Sequence, residues 1–332
     1  MLKYWKIGEG GIRMNKAEQL VVQALKSAAR DERMKHTVQQ STELYPLLWK
    51  AAKRYVTGEE REAAIPSARE FIAKDYQISL EFIGENTTDL VECQKAKDEY
   101  LQLIESMGAS SMKQTVSFDL SHIGLSINAK LAYKHLVELA QKANQYEITL
   151  MISMEESSKT SDILDIYKKI ASRYSNVGIT LQVHLYRTEV DIQQLIQYPG
   201  KIRLVKGAFQ EPTDVALKRS EELNKRYLYY VEQLVNANHP ISIATHDEVL
   251  IQEMEQRRYF NQPNVEIEML YGVRSDLLHQ LKAKGYRCKV YLTYGREWYL
   301  YLCHRLAEYP ENLFLAVADI INPFMLTKSE GY

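Results

Sequence analysis

The chain of 332 residues is 45% hydrophobic and 26% charged, close to the averages of soluble globular proteins, which excludes a disordered, collagenous or low-complexity chain. Its 42 lysines and arginines against 43 acidic residues leave a formal net charge of -1, so electrostatics give no case for nucleic acid or an anionic membrane as the main partner. The length allows one large domain or two modest ones.

Cys93, Cys288 and Cys303 are far apart, and no C-x-x-C occurs, which argues against a disulfide framework or a zinc knuckle. The stretch from Met1 to Gly11 lacks the apolar run of a signal peptide. No segment approaches the roughly 18 apolar residues of a membrane span, so the expected address is cytoplasmic.

In chain order, the first 75 residues read as a helical arm. Ala17-Glu-Gln-Leu-Val-Val-Gln-Ala-Leu and Leu44-Tyr-Pro-Leu-Leu-Trp-Lys-Ala-Ala-Lys-Arg-Tyr-Val carry apolar residues at helical spacing, and Gly58 and Pro66 punctuate the region. From residue 76 to 332 the pattern changes to short β-rich runs separated by longer amphipathic stretches. The runs begin at Ser79, Thr115, Glu147, Gly178, Lys201, Ile241, Val265 and Cys288, with starts 36, 32, 31, 23, 40, 24 and 23 residues apart. That is a βα unit repeated eight times.

An open doubly wound sheet and a closed (βα)8 barrel both fit repeated βα units. Eight strands over roughly 250 residues, none followed by G-x-G-x-x-G, favour a single barrel in the α/β class. Gly10-Gly11 has no strand before it and carries little weight.

Barrel active sites lie at the C-terminal ends of the strands. Asp119 ends strand two, Glu155 and Glu156 follow strand three, and Gln182 and His184 lie in strand four. Arg203 and Lys206 lie in strand five, Thr245-His246-Asp247 end strand six, Tyr271 follows strand seven, and Tyr291 and Tyr294 lie in strand eight. Glu156 also reads as a solvated charge at a helix start, and His184 as a hydrogen-bonded core histidine. Arg203 and Lys206 need either a bound polyanion or an internal ion-pair net with Asp119, Glu155 and Asp247, because unpaired buried cations cost several kcal/mol. No metal constellation or G-x-S-x-G elbow stands out. Lys206 also allows a Schiff-base lyase.

At six of these places the sequence resembles the proline dehydrogenase family, FAD-dependent flavoproteins on a distorted (βα)8 barrel. The resemblance runs from Leu44 to Phe324. It rests on Pro46-Leu-Leu-Trp-Lys-Ala-Ala-Lys-Arg-Tyr-Val, Leu181-Gln-Val-His-Leu-Tyr-Arg-Thr-Glu, Arg203-Leu-Val-Lys-Gly-Ala, Ala244-Thr-His-Asp, Met269-Leu-Tyr-Gly-Val-Arg and the segment from Tyr294 to Glu308.

The resemblance implies oxidation of a C–N bond by hydride transfer to flavin N5, by default L-proline to 1-pyrroline-5-carboxylate. It implies FAD as cofactor, a quinone or another electron acceptor as partner, and no need of a membrane span, while peripheral membrane contact remains compatible. Arg203 and Tyr291 are the implied catalytic residues. Gln182, Arg203, Lys206, Thr245, His246, Glu268, Tyr271 and Glu308 are the implied cofactor contacts. Asp119, Ser153, Phe209, Tyr291, Tyr301, His304 and Arg305 are the implied substrate contacts, the last three on a final helix, Trp298 to Ala307, capping the barrel mouth.

Against the usual family residues, this chain has Asp119 for lysine, Ser153 for aspartate, Phe209 for tyrosine, His304 for arginine, Glu268 for glutamine and Thr293 for proline. Counting the lysine, aspartate and arginine changes alone, the pocket is about two charge units less positive. Ionised, Asp119 would repel a carboxylate. That arithmetic raises a second reading, the same flavin chemistry on a cationic, carboxylate-blocked or carrier-bound amine. A third is a catalytically inactive binding protein.

Overall fold

The structure, a computed structural model, describes residues 16–29, 31–308, 310–322 and 332. Gly10-Gly11 and Phe324, read above, lie outside them.

Eight strands form a closed parallel barrel in sequence order: β1 (Gln77–Phe82), β2 (Thr115–Phe118), β3 (Thr149–Ile152), β4 (Val177–Gln182), β5 (Ile202–Val205), β6 (Ile241–Ala244), β7 (Val265–Leu270) and β8 (Cys288–Tyr294). β8 closes on β1 with Ser79 opposite Tyr291 and Glu81 opposite Thr293. Each strand leads into a helix: α5 (Leu90–Ala109), α6 (Ala129–Gln145), α7 (Ser157–Ala171), α8 (Thr188–Leu195), α9 (Glu221–Asn236), α10 (Glu248–Gln256) and α11 (Ser275–Ala283) on the outside, and α12 (Trp298–Glu308) over the mouth. The expected (βα)8 barrel is present.

Local chemistry sets several helix starts. Asp89, Asn128, Ser220 and Asp247 stand just before α5, α6, α9 and α10, and each side chain accepts from backbone N–H groups of the first turn that have no intrahelical partner.

The strands divide their residues by alternation. Ile78, Leu80, Val116, Leu150, Ile179, Leu204, Ile243, Ile267 and Val290 face outward and are buried, with Leu103, Leu136, Ile163, Tyr227 and Leu278 of the helices, in one continuous apolar core. The alternate set faces the barrel axis and is mostly polar: Ser79 and Glu81, Thr115 and Ser117, Thr180 and Gln182, Arg203, Ser242, Glu266 and Glu268, Lys289 and Tyr291. Barrel interiors are usually filled by Val, Ile and Leu. Here the N-terminal end is closed instead by Glu266, which accepts from Lys201 and Lys289 at 2.6 Å each, while Lys289 also donates to Thr115.

A second core covers the opposite end. Helices α1 (Lys16–Ala29), α2 (Glu32–Gln40) and α3 (Leu44–Ala52) pack with α12 and α13 (Pro310–Ile321). Ala29, Val38, Ala52, Tyr55, Trp298, Leu302, Leu306 and Ala316 meet there with Ile83 and Val273 from the loops after β1 and β7. Arg54 clamps Asp319 with two 2.6 Å bonds, tying the end of α3 to α13. Gly272, at a φ of +75°, lets the loop after β7 pass under this layer, where a Cβ would lie 1.9 Å from the Arg54 carbonyl.

Two expectations change. Pro66 does not interrupt the chain but sits inside α4 (Arg61–Ala73), a helix packed on β1 and β8. It is exposed, so water can meet the carbonyl that the missing N–H leaves free, while Ala64, Ala68 and Phe71 hold the other face in the core. The helix from Trp298 is not the last element, since α13 follows and forms part of the same cap.

Candidate active site

At the C-terminal end of the barrel Arg203 is the fixed point. Its guanidinium is buried and makes contacts around the whole barrel: Nε donates to Thr180 Oγ1 at 2.9 Å, Nη1 to Ser117 at 3.0 Å and Glu268 at 3.2 Å, and Nη2 to Ser153 at 3.0 Å. It lies 5.0 Å from the Tyr291 ring centroid. Glu268 is itself fixed by a hydroxyl donor, Ser242. A buried ion pair removed from water is costly, but this one has its remaining donors and acceptors satisfied by short hydroxyl side chains.

Beside it stands Glu81, whose carboxylate accepts from the Tyr291 hydroxyl. Burial and the neighbouring Glu85 push the Glu81 carboxyl up to about 7, against the opposing pull of Arg203 and Arg305. Asp119, on the next strand, is driven further. Burial first, then Glu155, Glu81 and Glu85, raise it well above the usual carboxylate range. This direction favours the neutral acid and weakens the repulsion expected of an ionised Asp119 towards a carboxylate.

Arg305 of α12 closes the other side. Nη2 pairs with Glu308 at 2.8 Å and the guanidinium lies 4.9 Å from the Tyr301 ring centroid. Nε and Nη1 are buried with no hydrogen-bond partner. Two unpaired donors on a buried cation cost several kcal/mol unless something accepts from them, and a carboxylate is the geometric match for that fork. His304 is half-buried on the same helix.

Around the ends of β4, β5 and β6 the polar side chains hold one another. Gln182 donates to the Glu155 carbonyl at 2.9 Å. Lys206 is not left to an anion alone: Nζ bonds Asn224 at 2.6 Å and Asp247 at 2.5 Å, and Asp247 also starts α10. Thr245 Oγ1 accepts from Asp247 N–H at 3.2 Å. His246 Nε2 accepts from Leu270 N–H at 3.0 Å, and burial with nearby Arg305 and Arg274 lowers its pKa to about 3, so it is a neutral acceptor. His184 is also kept neutral, near 4, chiefly by burial, and its Nε2 has no partner. It packs on Gly207, whose φ of +106° and missing side chain allow the ring in, since a Cβ there would sit 2.4 Å from Nδ1.

The internal ion-pair net exists in part: Lys206 takes Asp247 as expected, whereas Arg203 takes Glu268, and Glu155 takes Lys159 at 2.6 Å and the Ser121 N–H at 2.9 Å. Glu156 shares Lys159 at the α7 start. The substitutions at 153 and 268 read as one exchange. Where the family carries aspartate and glutamine, this chain puts a hydroxyl at Ser153 and the carboxylate at Glu268, and both bind the same guanidinium.

Some expected contacts do not converge. The Tyr271 ring packs with Phe71, 5.9 Å between centroids, and stacks on Tyr332, so it belongs to the packing around α4. Tyr294 points outward by alternation and donates to Glu99 of α5 at 2.7 Å. Glu308 serves Arg305. Phe209 lies half-buried in the loop after β5. The residues not singled out from sequence are Glu81, Ser117, Thr180, Ser242 and Asn224. All but Asn224 occupy the inward phase of a strand, so a polar residue at every second position was the available signal.

A family model described as proline dehydrogenase matches residues 64–313. Proline dehydrogenase 2 of Bacillus subtilis strain 168 is 30% identical over 269 residues, covering 80% of this chain and 89% of that protein. The proline dehydrogenase of Deinococcus radiodurans is 32% identical over 282 residues, covering 82% and 91%. Among solved structures, proline utilization A from Bdellovibrio bacteriovorus, inactivated by N-propargylglycine, superposes with a TM-score of 0.75 at 18% identity, covering 88% of this chain and 36% of that one, a likeness of fold. With its model spanning the barrel and both curated relatives aligned over most of their length, the chain belongs to the proline dehydrogenase family.

Proposed function

We propose that the protein is an FAD-dependent oxidoreductase that oxidises L-proline at its C–N bond to 1-pyrroline-5-carboxylate and passes the electrons to a quinone or another acceptor. The observation that carries the substrate is Arg305, a buried cation with two donors left open at the barrel mouth beside anchored Arg203. The residues present fit the cofactor as well. His184 Nε2 is an orphaned buried atom beside side-chain-free Gly207, and Gln182, Thr245, His246 and Arg203 present polar groups on the same rim.

When bound, FAD supplies a two-electron acceptor for a hydride from the carbon next to nitrogen. The protein's part is placement and charge. Arg203, fixed by Thr180, Ser117, Ser153 and Glu268, offers a positive charge where negative charge gathers on reduction. Arg305 orients the substrate carboxylate, and Tyr301 and Tyr291 wall the ring. Helix α12, held down by Trp298, Leu302 and Leu306 in the second core, excludes water from the mouth.

The case for a different amine rested on Asp119, Ser153 and His304 together; burial favours the neutral acid at Asp119, and Arg305 keeps two donors open for a carboxylate. No helix among the described residues is long and apolar enough to cross a membrane. The test is the visible spectrum of the purified protein before and after anaerobic L-proline. A yellow protein that bleaches supports the reading, and one that stays oxidised or colourless refutes it.

A further inference from the structure

The inner wall of the mouth carries one ionisable group that neither substrate orientation nor cofactor anchoring uses. Glu81 has one oxygen fixed by the Tyr291 hydroxyl, while the other makes no hydrogen bond among the described residues. Its partner Tyr291 lies against Arg203, 5.0 Å from ring centroid to guanidinium, and the charges of Arg203 and Arg305 both act on Glu81. L-Proline reaches the protein as a zwitterion, because a secondary ammonium titrates near the lysine value of about 10.4. Hydride can leave the carbon only once the nitrogen lone pair is free, so a proton must go somewhere inside a closed mouth.

We infer that Glu81 is the base that takes this proton: the N–H bond of the substrate ammonium breaks, an O–H bond forms on the Glu81 carboxylate, and nitrogen goes from positive to neutral as the carboxylate does. This rests on the proposed proline oxidation. Arg305 would hold the substrate carboxylate, leaving the ring nitrogen to face the acidic side of the mouth. Other carboxyls there suit the role less. Glu155 is consumed by Lys159 and the Ser121 N–H, and Asp119 lacks the anchoring hydroxyl that Tyr291 gives Glu81. His246 Nε2 is occupied by Leu270 N–H.

Tyr291 of β8 bonds Glu81, and the charged groups that act on it are Arg203 of β5, Arg305 of α12, Glu85 after β1 and Asp119 after β2. Arg203 and Arg305 lower its pKa. Burial outweighs them, with Glu85 adding to it, so the group changes charge in the neutral range, where a base for this task is most effective.

The test uses the flavin-loaded wild type and Glu81→Gln, which keeps size and can still accept from Tyr291 but cannot take a proton. For the wild type, kcat/KM for L-proline rises with pH through an inflection near 7, where burial places the Glu81 carboxyl, and then levels. In E81Q it falls by about 10²-fold or more at pH 7, and the inflection is replaced by a continuing rise towards the amine's own pKa. Tetrahydrofuran-2-carboxylate, which keeps the ring and carboxylate but has no ammonium, serves as the binding probe. Its affinity for the wild type weakens above the same inflection, because ionised Glu81 repels it, and becomes flat in E81Q.

If E81Q keeps the inflection with a loss under about threefold, the proton belongs to another group, His304 first, and the inference falls while the proline reading stands. If E81Q does not fold, the wild-type probe decides, since affinity that does not weaken with pH overturns the assignment. A wild type that does not oxidise proline removes the parent reading and this one together.

Discussion

Replacing Arg305 by methionine keeps the length of the side chain in α12 and deletes the donors that have no partner in the protein. Two hydrogen bonds from a charged group to a substrate carboxylate are worth about 1.5–3 kcal/mol each, so the loss lies near 3–6 kcal/mol. At roughly 1.4 kcal/mol per decade this is about 10²–10⁴-fold in kcat/KM for L-proline. Lysine at the same place keeps the charge but not the fork, and should recover part of the loss. The free protein gives little reason for R305M to be unstable, because Nε and Nη1 contribute no internal bonds and only the Glu308 pair and the cation–π contact with Tyr301 are lost. Steady-state kinetics with L-proline, on variants matched for flavin content and melting temperature, measures the effect. A loss under about fivefold in R305M refutes the carboxylate assignment and the argument from orphaned donors with it.

Three further outcomes follow from the same structure. Asp119→Asn should leave kcat/KM at pH 7 within about threefold, since the amide replaces an acid that burial already keeps neutral; a tenfold change would show the carboxylate is ionised in use. Glu266 is depressed from 4.5 to about 2 by Lys289 and Lys201 against the opposing cost of burial, and at 1.36 kcal/mol per unit this is on the order of 3 kcal/mol of stability. Because the folded value is the lower one, that stability is complete above about 4.5 and lost as pH falls towards 2. Glu266→Gln should cost about 3–5 kcal/mol in urea unfolding at pH 7 by stranding two buried lysines, and flatten the acid decline; an unshifted midpoint would dismiss the triad.

The barrel was legible because its signal is redundant. Eight βα units each carry an apolar strand and an amphipathic helix, and no single misread element changes the count. The polar interior was legible only in part. Arg203 stood out as an isolated cation in Ile202-Arg-Leu-Val, whereas Ser117 and Thr180 are residue types that occur anywhere, and only closure of the sheet brings them to one guanidinium. Glu81 was hidden for the opposite reason. In Ser79-Leu-Glu-Phe it reads as the solvated member of a half-exposed strand, and its partner, Tyr291 of β8, is brought to it only when the barrel closes. Pro66 misled because propensity is local, whereas the packing of Ala64, Ala68 and Phe71 decides whether one missing hydrogen bond matters.

Charge counting from sequence treats Asp119 as a solvated group. In the closed mouth, burial and three acidic neighbours raise its pKa, so ionisation there is the costly state. Lone substitutions also mislead when two of them act on one partner. Ser153 reads as the loss of a counter-ion and Glu268 as an unwanted extra charge, but Arg203 bonds both, so the guanidinium has a carboxylate partner. Together these leave Arg305 open and Arg203 paired. That is the arrangement a site needs if an incoming anion is to bind the first arginine and leave the second in place.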